Sequence, residues 1–215
     1  DVHGCYSTLN ELLSNVCNIG SCDKLIFIGD LMDKGPDSKK VLDYIFELKS
    51  SGLDITIIRG NHEQMFIDSI NNAKSLKDWF RNGGKETLES FEVYNPGFID
   101  DKYIDLVFSS QPYFLNDEFV ITHAGLNFAI ENPLSDTKKM QTTRNEFCYP
   151  EKIGNRRLIV GHTPIPIEKI KASLNGEIIY TDGGCVYHRK VQGLGYLVAL
   201  ELSTMELFML QNIEE

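Results

Sequence analysis

Short apolar, β-branched runs alternate along this chain with stretches of helical periodicity, and most of those runs break off at a glycine flanked by Asp, Asn or His. Lys24 to Ile28 (KLIFI) reads as a buried strand ending at Gly29-Asp30, and Asp54 to Ile58 (DITII) as another that delivers Arg59-Gly60-Asn61-His62. Ahead of them, Leu9, Leu12, Leu13 and Val16 share one helical face behind Thr8-Leu9-Asn10-Glu11, which has the form of a capping box. Val41, Leu42, Ile45 and Leu48 mark a second helix that Asp37 or Ser38 can cap and Gly52 can close. Strand, loop and helix in this alternation is the βαβ pattern of a largely parallel sheet.

Residues 63 to about 115 read differently, as helical segments with Trp79, Phe80 and Phe91 around the loop Asn82-Gly83-Gly84, and so as a helical insertion. Strands resume at Phe119 to Thr122 and Leu158 to Val160. Glu177 to Tyr180, Gly195 to Leu202 and Met205 to Leu210 then read as antiparallel strands joined by tight turns. No internal repeat, Pro/Ser-rich linker or charge run divides the 215 residues, so the expectation is one domain over 1–215. Its class is α/β (α+β), with two mixed β-sheets packed face to face and helices outside.

Composition narrows the field of partners. A hydrophobic fraction of 42% with 24% charged residues belongs to an ordinary globular chain with a sizeable core. The net charge of −10 would repel a nucleic-acid backbone, which argues against a long polynucleotide as substrate. No apolar stretch approaches the roughly 18 residues of a membrane span, and no signal peptide is expected. The five cysteines, Cys5, Cys17, Cys22, Cys148 and Cys185, are odd in number and form no C-x-x-C pair. Neither a disulfide framework nor a structural zinc is indicated, and a cytoplasmic protein is expected. Cys5 follows the first polar cluster directly but reads as a small packed side chain.

Six polar clusters carry the candidate chemistry: Asp1-Val2-His3-Gly4, Gly29-Asp30-Leu31-Met32-Asp33, Gly60-Asn61-His62-Glu63, Thr122-His123-Ala124-Gly125, Gly161-His162-Thr163 and Thr181-Asp182-Gly183. In the first five, Asp, Asn or His beside Gly lets a sheet deliver metal ligands to one edge while the backbone turns sharply behind them. Asp1 and His3, two positions apart at a strand end, can point to the same side and chelate one ion. A pair of divalent ions needs a bridging carboxylate and a ligand set for each. Asp30 is the candidate bridge, with Asp1 and His3 completing one ion and Asn61, His123 and His162 the other. An O/N donor set without thiolate suits Mn, Fe or Zn, and the histidines argue against Mg or Ca alone. Taken singly each signal is weak, since a lone histidine is more often a satisfied structural residue, Gly29-Asp30 can be a turn and Asn61 a helix cap. Their joint occurrence is what points to a metal site. His188 lies outside every cluster and reads as surface.

In order and spacing these clusters resemble the calcineurin-like metallophosphoesterases, and specifically their phosphoprotein-phosphatase branch (GD-x-HG, GD-x-x-DRG, GNHE, then two isolated His). The similarity runs from residue 1 to about residue 185. Trp79 followed by Asn82-Gly83-Gly84 and Thr87 looks like the bacterial and phage branch, which includes small Ser/Thr protein phosphatases and diadenosine tetraphosphate hydrolases. The resemblance implies a four-layer αββα sandwich and a dinuclear centre on Asp1, His3, Asp30, Asn61, His123 and His162. It also implies a catalytic dyad of His62 and Asp33, with phosphate held by Arg59 and Arg144. In such a site a metal-bridging hydroxide attacks phosphorus in line with the leaving oxygen, and His62, held by Asp33, protonates the departing alkoxide. Lys34 stands where the family usually has Arg, trading a bidentate fork for a point charge beside the phosphate. Thr143 precedes Arg144 where the branch often carries an aromatic-rich stretch, and a strand and a glycine are expected ahead of Asp1.

The expected activity is metal-dependent hydrolysis of phosphoric monoesters, with a phosphoserine or phosphothreonine protein or a small phosphoester as substrate. The alternative is a bis(5'-nucleosyl)-tetraphosphatase that splits dinucleoside polyphosphates. A third reading, a non-catalytic scaffold with this fold, is opposed by the presence of His62, Asp33 and every ligand, because a scaffold needs no leaving-group acid.

Overall fold

The computed structural model describes residues 1–214. The chain begins with α1 (Tyr6–Glu11), which runs on through a wider π turn over Leu12–Val16. The helix starts three residues earlier than the capping-box reading places it, because Cys5 is the N-cap and Thr8 falls inside the first turn. That leaves the Thr8 N–H without a helical partner. It donates to Glu214 Oε1 at 2.9 Å, and the Thr8 hydroxyl donates to the same oxygen at 3.1 Å. The carboxylate that caps α1 thus comes from the other end of the chain rather than from Glu11.

β1 (Lys24–Phe27) leads through α2 (Ser38–Ser50) to β2 (Asp54–Ile57), which pairs with it in parallel register. Gly52, at φ +96, closes α2 as its position suggests: its N–H reaches Lys49 O and the Leu53 N–H reaches Leu48 O. Four helices follow: α3 (Asn61–Ser69), α4 (Ala73–Arg81), α5 (Gly84–Ser90) and α6 (Asp101–Phe108). The helical segment therefore begins at Asn61 and ends short of β3 (Tyr113–Leu115), which lies in the stretch expected to be helical.

β3 joins β4 (Phe119–Thr122), β5 (Arg157–Val160) and β6 (Ile178–Tyr180) in a mixed sheet of order β3-β4-β5-β6. β6 runs parallel to β5, not antiparallel as the tail pattern suggests, because α7 (Ile167–Ser173) carries the chain back between them as a crossover. β7 (Tyr196–Leu200) and β8 (Leu207–Gln211) form an antiparallel pair, as expected. The described residues thus form three sheets, β1-β2 first, β3-β4-β5-β6 second and β7-β8 third. Residues of β1 and β7 line one cavity of about 590 Å³ that also reaches Asp1 and Gly29.

Apolar side chains divide the fold into layers. Ile26, Ile28 and Ile58 of the first sheet meet Phe119, Ile121, Ile159 and Ile179 of the second across the middle. The other face of the first sheet packs on helices through Leu9, Leu12, Val41, Leu42, Ile45, Phe66 and Trp79. The outer face of the second sheet, Val120, Leu158, Val160 and Ile178, is covered by Leu126, Phe128, Met140 and Ile153. Those residues belong to loops and 3-10 turns, so turns build most of the fourth layer. The five cysteines are free thiols; Cys5 is buried beside Cys185, with the Asn212 amide reaching both sulfurs. Among the described residues no helix is long and apolar enough to cross a membrane.

Candidate metal centre

Parallel pairing puts the C-terminal ends of β1, β2, β4 and β5 on one edge, where the polar clusters begin. The backbone turns hard there. His3, Asp30, Asp33, Lys34 and His162 all have positive φ, between 47° and 72°, a conformation that costs side-chain-bearing residues energy and concentrates at functional sites. Gly29, at φ +89, sits so close to the next loop that a methyl group on it would lie 2.5 Å from Gly60 N and 2.9 Å from His123 Nδ1.

Two groups of donor atoms form at this edge, His3, Asp30 and His62 in one and Asp30, His123 and His162 in the other, each with its atoms within 4.8 Å of one another. Asp30 belongs to both. Its Oδ2 is 3.6 Å from His3 Nε2, and its Oδ1 is 3.4 Å from His123 Nε2. His3 Nδ1 donates to Met32 O at 3.0 Å and His123 Nδ1 to Ile28 O at 2.7 Å, which fixes both tautomers and turns each Nε2 lone pair inward. Asn61 Oδ1 and His162 Nδ1 lie 3.1 and 3.2 Å from His123 Nε2. Acceptor atoms this close repel one another unless a cation or a proton lies among them, so the donor set fits a metal on its own chemistry.

The charge balance agrees. Burial works against the Asp30 carboxylate, yet the His123, His62 and His3 rings hold it well below the usual carboxylate range. Burial lowers His3 well below the ordinary histidine value and takes His162 down to about 4, helped by His123, so both present neutral, ligating rings near pH 7. His123 alone goes up: burial opposes its charge, but Asp30 outweighs it. Lys34 Nζ donates to His3 Nε2 at 2.9 Å, over the Tyr187 ring, so a positive charge already stands at the first group.

The dyad partners meet as well. His62 Nδ1 lies 2.7 Å from Asp33 Oδ2, and its Nε2 faces the first group, 4.0 Å from Asp30 Oδ2. Asp33 is fully buried, and burial raises its pKa against the hydrogen bonds it accepts. Two of those come from residues to which the sequence assigned no task, Trp79 Nε1 at 2.8 Å and Thr87 Oγ1 at 2.6 Å. The signal was the Trp79, Asn82-Gly83-Gly84, Thr87 pattern. Gly84 has no room for a side chain because the Trp79 indole lies against it. Glu63 was also missed: its buried carboxylate accepts from Asp30 N, Leu31 N and Gly60 N at 2.8, 2.8 and 2.9 Å, tying together the loops that carry Asp30 and Asn61.

Two expected residues stand elsewhere. The Asp1 carboxylate joins neither donor group and instead accepts the His162 backbone N–H at 3.0 and 3.1 Å, a donor that the left-handed turn at His162 presents to it. The Arg59 side chain is engaged away from the donor groups. Its guanidinium bonds Ser110 Oγ, Phe108 O and Ser110 O, capping carbonyls at the end of α6 that have no helical partner. Arg144 lies beside His162, its Nε donating to Thr163 Oγ1 at 3.1 Å. His188 is half-buried and outside the centre.

A sheet edge that gathers a shared carboxylate, an amide, three imidazoles and a histidine held by a buried aspartate defines a metal-dependent phosphoester hydrolase. The chain belongs to the calcineurin-like phosphoesterases, whose family profile matches residues 1–195. It is 40% identical over 84 residues to serine/threonine-protein phosphatase 1 of Salmonella typhimurium, a match covering 39% of this chain and 36% of that protein. It is 25% identical over 221 residues to the asymmetrical bis(5'-nucleosyl)-tetraphosphatase PrpE of Oceanobacillus iheyensis, covering 89% of this chain and 84% of that one. The fold is also that of a solved candidate diadenosine tetraphosphatase, with a TM-score of 0.68 at 18% identity over 100% of this chain and 92% of that one.

Proposed function

We propose that this chain hydrolyses phosphoric monoesters of alcohols, as a Ser/Thr protein phosphatase does. The observation that carries the reading is the dyad, His62 on a fully buried Asp33 that also receives Trp79 and Thr87. An acid matters most where the leaving oxygen is strongly basic, and a serine or threonine alkoxide is far more basic than the phosphate released from a polyphosphate chain. Asp30, His3, Asn61, His123 and His162 would hold two divalent cations, Mn by the donor set with Fe or Zn as substitutes; Asp1 could join them by leaving His162 N. When bound, the cations supply Lewis-acid activation of water and neutralise phosphate charge. Asp33 would hold the His62 ring by Nδ1 with Nε2 toward the leaving oxygen, and Arg144 and Lys34 would orient phosphate. A reducing cytoplasm suits five free thiols.

A second reading, cleavage of dinucleoside polyphosphates, is favoured by the length of the match to the Oceanobacillus enzyme. One experiment separates them. On Mn-loaded protein, with a chelated control that should lose all turnover, His62→Asn should cost about 10²-fold in kcat on a phosphoserine peptide and far less on p-nitrophenyl phosphate. Equal losses on both would remove His62 as the acid. Faster wild-type turnover of diadenosine tetraphosphate than of any phosphopeptide would favour the second reading.

A further inference from the structure

Beside the His162 side of the centre lies a cavity of about 330 Å³, at the small end of ligand pockets but larger than one phosphate needs. Its wall is apolar where Ala124, Val160 and Ile165 line it, and polar where Arg144, Lys169 and Tyr180 do. Ala124 follows His123 and Thr163 follows His162, so the cavity begins one residue from two of the metal-site histidines. Arg144 is pinned through Nε to Thr163, which leaves its two terminal nitrogens without a protein hydrogen bond among the described residues. Lys169 is exposed, and its side-chain ammonium forms no hydrogen bond or ion pair among the described residues. The Tyr180 hydroxyl donates to Asn145 O at 3.1 Å and so holds the ring as a fixed wall. Glu146 also lines the cavity, so two cations and one anion leave it a net positive recess on a chain of net charge −10.

Unpaired cations converging beside a phosphoester-cleaving centre form an anion site, and a guanidinium with a neighbouring ammonium suits a dianion better than a single carboxylate. We propose that Lys169, together with the free edge of the Arg144 guanidinium that also orients the phosphate being cleaved, forms a subsite for a second phosphate carried by the substrate next to that one, with Lys169 the residue that selects for it. The proposal rests on the reading of the adjacent centre as a phosphoester hydrolase. The same chemistry has two sources, a phosphorylated side chain near the target residue of a peptide or the next phosphate of a polyphosphate chain.

The test uses the full Mn-loaded chain, Lys169→Ala and Glu146→Gln. The quantity read is the ratio of kcat/KM for a doubly phosphorylated serine peptide to that for its singly phosphorylated form. A parallel arm takes the ratio for diadenosine tetraphosphate against p-nitrophenyl phosphate. Lys169→Ala should lower the ratio about 10-fold, the size of one charge-assisted hydrogen bond at an open site, and Glu146→Gln should raise it. The arm that moves names the source, and ratios unchanged in both arms would overturn the subsite. Should wild type turn over no phosphoester at all, the proposed function fails, but the subsite is still decided by calorimetry on metal-free protein. There Lys169→Ala should weaken binding of ADP or of the doubly phosphorylated peptide about 10-fold, and equal Kd values for both ligands would refute it.

Discussion

Glu63→Gln changes one atom at the point where the two ligand-bearing loops are joined. In the native protein Glu63 Oε2 accepts from Asp30 N and Gly60 N while Oε1 accepts from Leu31 N. A glutamine can keep the first two with its carbonyl, but its amide nitrogen then faces the Leu31 N–H, donor against donor. One charge-assisted bond is lost, about 1.5–3 kcal/mol, and the other two lose their charge. Against this, burial and the nearby Asp30 raise the Glu63 pKa, so the carboxylate is costly to keep ionised and the neutral amide recovers part of that cost. A net destabilisation of about 2 kcal/mol follows, or a Tm lower by about 4–8 °C for a chain of this size. Because Asp30 and Asn61 ride on the loops that loosen, metal affinity should also fall about 10–100-fold, the usual effect of losing a group that orients ligands. Urea unfolding followed by circular dichroism and Mn titration of the metal-free protein measure the two effects. An unchanged midpoint together with unchanged Mn affinity would refute the role given to Glu63.

Trp79→Phe removes one of the donors that hold Asp33, so kcat on a phosphoserine peptide should fall about 10-fold with much less change on p-nitrophenyl phosphate; equal losses on both substrates would mean the indole acts only through packing. In the metal-free protein His3 and His162 are depressed in the folded state, His162 to about 4 from an ordinary 6.5, so the unfolded chain takes up their protons first as pH falls. The His162 contribution is complete above pH 6.5 and is lost on the way down to about 4, while the raised His123, Asp33, Glu63 and Asp182 act in the opposite sense as pH falls. The urea midpoint of His162→Asn should therefore drop less between pH 7 and 4.5 than that of the native protein, and equal drops would contradict the assignment.

What the sequence made legible was what local pattern can encode. An apolar run followed by glycine announces a strand end, and a parallel sheet then puts all such ends on one edge, which is why Asp30, Asn61, His123 and His162 could be gathered without coordinates. Competition between distant partners could not be read in this way. Arg59 is drawn from the centre by carbonyls about fifty positions away at the end of α6, and the Thr8 N–H finds Glu214 across nearly the whole chain. The direction of β6 depended on whether the segment after Pro166 formed a crossover helix, and seven residues of α7 were too few to stand out by periodicity. Trp79 and Thr87 were visible as a motif, but their purpose needs Asp33, which only folding brings between them.

The two aspartates of the first loop show how one short segment carries two different tasks. Asp30 and Asp33 are three residues apart, both fully turned into the left-handed region and both buried. What separates them is the company each keeps. Three imidazoles surround Asp30 and hold it ionised despite burial, which suits a carboxylate shared between cations. Neutral donors, Trp79 and Thr87, accompany His62 at Asp33, and there burial wins and raises the pKa. A carboxylate set among neutral dipoles holds a histidine in place without competing with Asp30 for cations. On the proposed roles, exchanging the surroundings would exchange them: a metal drawn to Asp33 would take the anchor of His62, and a neutral Asp30 would no longer serve as the proposed bridge. The pair α4 and α5, which supplies Trp79 and Thr87, is thus the part of this fold that keeps the two carboxylates distinct.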